Sequence, residues 1–324
     1  MENELEAYSQ PALDRIPGWD QSSQPNADDV SKRKLQLFDS HRQRLFSIAY
    51  RMLGSAADAD DILQEAALRW LQTSTEAASP EAFLVTIVTR LCLNHLQSAR
   101  VKREEYFGQW LPEPLLTAPA AGPSALTEMD DSISMAFLVL LERLTPKERA
   151  VFLLREIFEY EYSEISGIVE ETPTNCRQIL RRARQHLKHS RTRFDSSPQK
   201  HEELLERFRQ ASANGDMEGL LAIMSKDIIL YADGGGKASA VPNPIFGAKN
   251  VASLLIGARR KLLPSELVAQ IVQINGRPGI LSYWRGNPYG VVTIEVEQGR
   301  ISAIYIVSNP DKLARLPVLS AKTC

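Results

Sequence analysis

Cysteine is scarce in this chain. Cys92, Cys176 and Cys324 are the only three in 324 residues. They are too few and too widely spaced for a zinc-ligand pattern or a disulfide framework, so a reducing cytoplasm is expected. Long apolar runs are missing as well: no stretch approaches the ~18 uninterrupted residues of a membrane span. The N-terminus lacks the basic-then-apolar order of a secretory leader. Histidine is sparse. All five lie at positions 41, 95, 186, 189 and 201, so 202–324 has none, and its only thiol is the terminal Cys324. That distribution excludes a His base or a Cys nucleophile there and leaves Asp233 as a lone candidate carboxylate base. No catalytic residue, cofactor or metal site is expected, and the chain does not read as an enzyme.

Net charge is nearly absent too, at −2, but the balance hides segregation. Residues 1–30 carry Glu2, Glu4, Glu6, Asp14, Asp20, Asp28 and Asp29 against a single Arg15, with Pro11, Pro17 and Pro25 interrupting them. They are expected to be a disordered acidic arm. The opposite extreme is "NCRQILRRARQHLK", 175–188, with five basic side chains and no acid. Local charge of this kind points to a nucleic-acid partner. At 324 residues the chain exceeds one ordinary core, so two or three domains are expected.

Residues 31–105 read as helical. Leu45, Ile48, Ala49, Met52 and Leu53 form one apolar stripe, Gly54 ends that helix, and Ser55 with Asp58 approximates a capping box for the next. That next helix should bury Ala59, Ile62, Leu63, Ala66 and Trp70, and a third should run from Pro80 to about Arg103. A Pro-rich linker occupies 106–130. Helices resume near Asp131, with Thr145-Pro146-Lys147-Glu148 as a strong start signal, and this unit extends to about 195. From 199 to 324 the pattern changes. Helical stretches near 200–213 and 216–225 precede strand-like runs such as "DIILYA", "GILSYWR" and "RISAIYIVS", with the helix "NVASLLIGARRKL" inserted. This predicts an α+β domain with mostly antiparallel strands.

The basic stretch sits in helix-turn-helix grammar. Ser163 can cap "EISGIVE", the chain turns at Glu171, and Thr172-Pro173 starts the second helix. On that helix Cys176, Ile179, Leu180, Ala183 and Leu187 make the buried stripe. Asn175, Gln178, Arg181, Arg182 and Gln185 are expected to face outward, where such side chains read base edges. Arg177, Arg184 and Lys188 are expected on a flank, toward phosphates.

These segments carry a resemblance. "LTPKERAVFLLREIFEYEYSEISGIVEETPTNCRQILRRARQHL" resembles the fourth conserved region of bacterial sigma factors of the extracytoplasmic-function type. "RLFSIAYRMLGSAADADDILQEAALRWL" and "PEAFLVTIVTRLCLNHLQSARVKRE" resemble the second region. "WLPEPL", "DGGGK" and "NPDKL" are similar to signatures of a subgroup with a fused C-terminal SnoaL-like domain, a cone-shaped α+β fold. The resemblance therefore implies two all-α sigma domains, the second with a helix-turn-helix, followed by that cone.

It also implies function. Region 2 would bind core RNA polymerase at the clamp of its largest subunit, through Asp61, Gln64, Glu65 and Leu68, and would recognise and melt the −10 promoter element. Asn94, Gln97, Arg100, Lys102 and Arg103 are positioned for the opened strand. Region 4 would read the −35 element through the basic helix, Thr174 included. The C-terminal domain would act as a built-in regulator in place of a separate anti-sigma protein. Trp110 and Leu111 are costly to leave exposed, and successive glycines permit close approach of another chain. The linker residues Trp110, Leu111, Pro112, Glu113 and Pro114 are thus expected to dock near Asp233, Gly234, Gly235, Gly236 and Lys237. Asn309, Pro310, Asp311, Lys312 and Leu313 complete this regulatory set. Promoter DNA and polymerase are the expected partners, with no membrane. A small ligand of the C-terminal pocket stays open and unnamed. A DNA-binding regulator that never enters polymerase, and a DNA-tethered enzyme, are the alternatives.

Overall fold

The computed structural model describes residues 27–73, 79–104, 106–117, 133–187 and 198–319. Most of the acidic arm, the second half of the linker and Lys188 lie outside the described residues, as do the side chains of Arg100, Lys102 and Arg103. Helix α1 (Ala27–Leu53) begins inside the predicted arm. Asp28 and Asp29 sit in its first turn, where the helix dipole favours acids. Gly54 follows at φ 67, a left-handed conformation that suits glycine. The stripe Leu45, Ile48, Ala49, Met52 and Leu53 is buried as its spacing requires. Helices α2 (Ala56–Gln72) and α3 (Pro80–Glu104) complete the first bundle.

The second bundle is α4 (Met135–Leu141), α5 (Pro146–Glu156), α6 (Tyr162–Val169) and α7 (Pro173–Leu187). Thr145 and Glu148 form the reciprocal capping box of α5. Helix α6 starts one residue before Ser163, and Glu161 is its N-cap; the Glu161 backbone N–H donates to the Glu164 carboxylate at 2.8 Å. A carboxylate three residues on closes that box, which the serine lacks. Glu170, at φ 57, makes the turn, and the Asn175 N–H donates to Thr172 Oγ1 at 3.1 Å to open α7. The two bundles share one continuous apolar core, from Phe38 through Leu187. Arg149, 3% exposed, crosses between them and donates to the Met52 carbonyl at 2.6 Å.

The C-terminal domain opens with α8 (Pro198–Asn214) and α9 (Met217–Ile223). Then come β1 (Met224–Asp233), β2 (Ile245–Phe246), α10 (Ala248–Lys261), β3 (Val268–Ile274), β4 (Arg277–Trp284), β5 (Asn287–Glu297), β6 (Arg300–Val307) and the short α11 (Pro310–Leu313). The strands form one sheet in the order β2-β1-β6-β5-β4-β3, parallel between β1 and β6 and antiparallel elsewhere. Side chains alternate across a strand. Leu230, Ile294, Val296 and Ile304 therefore face α8, α9 and α10. Leu281, Val291, Tyr305 and Val307 face the other way, onto Leu111 of the linker and Met135 and Ala136 of α4. One sheet face thus serves its own domain, and the opposite face holds the sigma-like half.

One histidine does belong to the C-terminal domain. His201 belongs to α8 and is buried in this domain, its Nε2 donating to the Pro278 carbonyl at 3.3 Å. A count over 202–324 misses it by one residue. Burial, then the charge of Arg277, pushes its pKa down to about 4 from an ordinary 6.5. Between those values the unfolded chain binds more protons than the folded one. Stability is therefore full above about pH 6.5 and falls as pH drops toward about 4, by on the order of 3 kcal/mol. Urea midpoints of this domain should fall between about pH 7.5 and about pH 4.5, and fall less in His201→Gln. Equal pH slopes in the two proteins would remove His201 as the cause.

Candidate functional site

Residues 106–117 form an extended strap threaded between the first bundle and the sheet. Pro112 and Pro114 hold the chain extended, and Leu111 through Pro114 are buried. Two polar nodes fix the strap. At the first, the fully buried Asp233 carboxylate accepts from the Tyr106 hydroxyl at 2.6 Å, the Gly235 N–H at 3.0 Å, the Leu111 N–H at 2.9 Å and Lys312 Nζ at 2.6 Å. Asn309 Nδ2 donates to the Tyr106 hydroxyl at 2.8 Å. Lys312 also donates to the Leu111 carbonyl and lies 4.2 Å from the centre of the Trp110 ring. Burial, then the bond to Asp233, raises the Tyr106 pKa, so the phenol stays a neutral donor.

The second node faces the first bundle. The Glu113 carboxylate accepts from the Ala56 and Ala57 N–H groups at 2.8 and 3.1 Å, where α2 begins and its dipole is positive. Asn275 is fully buried in the β3–β4 turn at φ 51. Its side chain accepts from the Leu115 N–H at 3.0 Å and donates to the Tyr50 hydroxyl at 2.6 Å, which donates on to the Glu113 carbonyl at 2.7 Å. Past this point the strap adds to the sheet edge: the Thr117 N–H donates to the Gln273 carbonyl at 3.0 Å. Glu113 thus points away from the C-terminal domain, Leu111 meets it, and the Trp110 ring touches both Lys312 and Gly54 of the first bundle.

The glycine and Asn-Pro-Asp stretches converge on the first node. Gly235 has φ 59, and a Cβ there would lie 2.3 Å from Asn309 Nδ2. Only glycine fits so close to that amide. Asn309 accepts from the Asp311 N–H at 3.1 Å as the N-cap of α11, with Pro310 at the first helical position. Leu313 is buried on the sheet face, and Lys237 pairs with Asp311 at 2.5 Å on the surface.

The nucleic-acid-type residues fall on two helices. On α7 the predicted apolar stripe is buried. Thr174, Gln178, Arg181 and Gln185 are exposed and make no hydrogen bond or ion pair among the described residues. Asn175 is half-buried instead of facing outward, and its amide donates to Glu171 at 2.6 Å. Arg182 is exposed as expected, and it also lines a cavity of 520 Å³ with Asn175, Leu96 and Gln97. At 100° per residue, 175 and 182 lie close to a quarter turn from the outward stripe. On the other flank Arg184 pairs with Glu156 at 2.7 Å and Arg177 stacks 4.9 Å over Tyr162. On α3, Asn94 and Gln97 are exposed. On α2, Asp61, Gln64, Glu65 and Leu68 form an exposed stripe, Leu68 at 56% exposure. At its edge Asp60 pairs with Arg42 at 3.3 Å and with Arg315 from beyond α11.

The sequence reading missed Tyr50, Tyr106, Asn275 and Arg315. Asn275-Gly276 was visible only as a hairpin turn signal; nothing local announces the partners of the others.

The Asp233–Lys312 pair has side chains 0% and 11% exposed, so removing one partner strands a buried charge. That costs about 3–5 kcal/mol. Asp233→Asn should raise hydrogen exchange of the Leu111 amide by about 100-fold or more, and Asp233→Asn with Lys312→Met should recover part of the protection. Unchanged exchange in Asp233→Asn would mean that apolar packing of Leu111 alone holds the strap.

Two families match this chain: Sigma-70 region 2 over residues 37–101 and Sigma-70, region 4 over residues 134–187. The ECF RNA polymerase sigma factor SigJ of Mycobacterium tuberculosis (strain ATCC 25618 / H37Rv) is 33% identical over 87% of this chain and 93% of its own. The probable ECF RNA polymerase sigma factor SigI of the same strain is 31% identical over 85% and 92%. The crystal structure of the M. tuberculosis SigJ protein superposes with a TM-score of 0.69 at 31% identity, covering 88% of this chain and 98% of that one. That coverage takes in the helical bundles and the C-terminal sheet domain together. The chain belongs to the extracytoplasmic-function sigma factors of RNA polymerase, whose work is transcription initiation.

Proposed function

We propose that this sigma factor is controlled in cis by its C-terminal domain, which sets the spacing between its two DNA-binding bundles. One observation carries the reading: a single sheet face packs both Leu111, from the strap that follows region 2, and Met135 and Ala136, from the first helix of region 4. Holding both bundles on one rigid surface reinforces the direct apolar contact between them and so favours one distance and angle. A shift between this compact form and one extended along a promoter would then switch activity. The exposed α2 stripe suits a polymerase surface with basic groups. Helix α3 is the element for the opened −10 strand. On α7 the free stripe Thr174, Gln178, Arg181 and Gln185 is the base-reading surface for the −35 element, with Arg177 and Arg184 turned to phosphates.

In vitro transcription with bacterial core polymerase tests this, on a promoter taken from upstream of the gene itself. The full chain should initiate less than a form ending near residue 198, or than Leu111→Ala, and dye-labelled bundles should separate in both variants. Equal initiation and unchanged spacing would sink control in cis. On randomised upstream duplexes, Arg181→Ala holoenzyme should lose about 1–3 kcal/mol of discrimination at one base pair. Asn175→Ala should leave the base profile as it was. The reverse pattern would move the reading stripe onto the Asn175 flank.

A further inference from the structure

Arg90 lies on α3 in line with Asn94 and Gln97, at i, i+4 and i+7, so the three share one face of that helix. Its guanidinium reaches across to the helix-turn-helix. Nη2 donates to the Gly167 carbonyl at 2.7 Å, Nε to the Ile168 carbonyl at 3.1 Å, and Nη1 pairs with Glu170 at 3.1 Å. The carbonyls belong to the last turn of α6, which lack helical partners and carry the negative end of the dipole. Farther along the same face, Gln97 looks into the 520 Å³ cavity whose far wall is Thr145, Asn175, Ile179 and Arg182. Region 4 therefore holds Arg90 and borders Gln97 on the face of α3 that the opened strand would need, while Asn94 stays exposed.

We propose that Arg90 is itself a promoter-strand contact, and that the compact form keeps it occupied. Two carbonyls and a carboxylate present an oxygen set much like that of a backbone phosphate. A planar, five-donor guanidinium suits either one, but not both at once. Arg90 is 43% and Glu170 72% exposed at the side chain, so neither is needed to fill a core. The DNA half of this rests on the reading of α3 as the −10 helix.

Two variants separate its two roles. Glu170→Ala weakens only the compact form's hold on Arg90, whereas Arg90→Ala removes both contacts. Spacing is read in the free full chain, with dyes on Gln72→Cys and Ser163→Cys and with Cys324→Ser; Cys92 and Cys176 are buried. Strand contact is read as the affinity of the assembled holoenzyme for single-stranded −10 DNA across a salt series. Both variants should shift the dyes toward larger separation. Glu170→Ala should keep wild-type strand affinity. Arg90→Ala should lose about 3- to 10-fold and about one unit of salt slope, and Arg90→Lys should restore most of it. Dyes unmoved in Arg90→Ala would overturn the hold on region 4, and equal strand affinity in the two alanine variants would overturn the strand contact. If wild-type holoenzyme binds no −10 strand, the reading of α3 fails first and takes the strand half of the proposal with it.

Discussion

Much of the interdomain geometry depends on one buried carboxylate. Asp233 ends β1 at zero exposure, and burying an ionised group is tolerable only when its oxygens are fully supplied with donors. Two of the four donors come from the strap, Tyr106 and Leu111, and the others from the glycine turn and α11. Three sequence signatures that lie far apart in the chain are thus requirements of one group. The glycines let the backbone curl tightly enough to offer an N–H, the Asn-Pro pair starts the helix that delivers Lys312, and the strap supplies Leu111.

The strap is double-sided, and that makes it more than a tether. Leu111 faces the sheet side, Glu113 faces the start of α2, and the Trp110 ring lies between Lys312 and Gly54. Pulling the domain away from region 2 would expose an apolar side chain and leave N–H groups or a carboxylate without partners on one side or the other. Region 4 is held on the same sheet face, but by apolar packing of Met135 and Ala136. To region 2 it is tied by the apolar core the two bundles share, and by Arg149, Arg44 and Arg90 at its edge. Arginine suits such a seam because it stays charged and can satisfy several carbonyls at once.

Local pattern made much of the fold legible. The stripes of α1, α2 and α7 and the capping box of α5 were readable because each depends on residues within a turn or two. Ser55 illustrates the limit. Its hydroxyl accepts from the Asp58 N–H at 3.2 Å, but the carboxylate that completes the helix start comes from Glu113. Asn275 and Tyr50, 225 residues apart, show the same limit at longer range. The outward orientation expected of Asn175 failed for a different reason: its angular position turns it toward Glu171, which its amide bonds. His201 lies in the first turn of α8, inside the domain expected from 199 but ahead of the histidine-free stretch 202–324.

Asn275 is followed by Gly276, a dipeptide prone to ageing, because glycine scarcely shields the backbone nitrogen that can attack the side-chain amide. In the docked form that attack is held off. Both ends of the amide are engaged, and the Gly276 N–H is occupied by Thr117 Oγ1 at 3.0 Å. In the open form proposed above, the Gly276 nitrogen would be free to close on the amide, expelling ammonia to form a succinimide that water opens to aspartate or isoaspartate. Neither product has a side-chain N–H to give Tyr50. Docking thus shields the very residue that helps make it, and in the open form proposed above that shield would be absent and the loss irreversible.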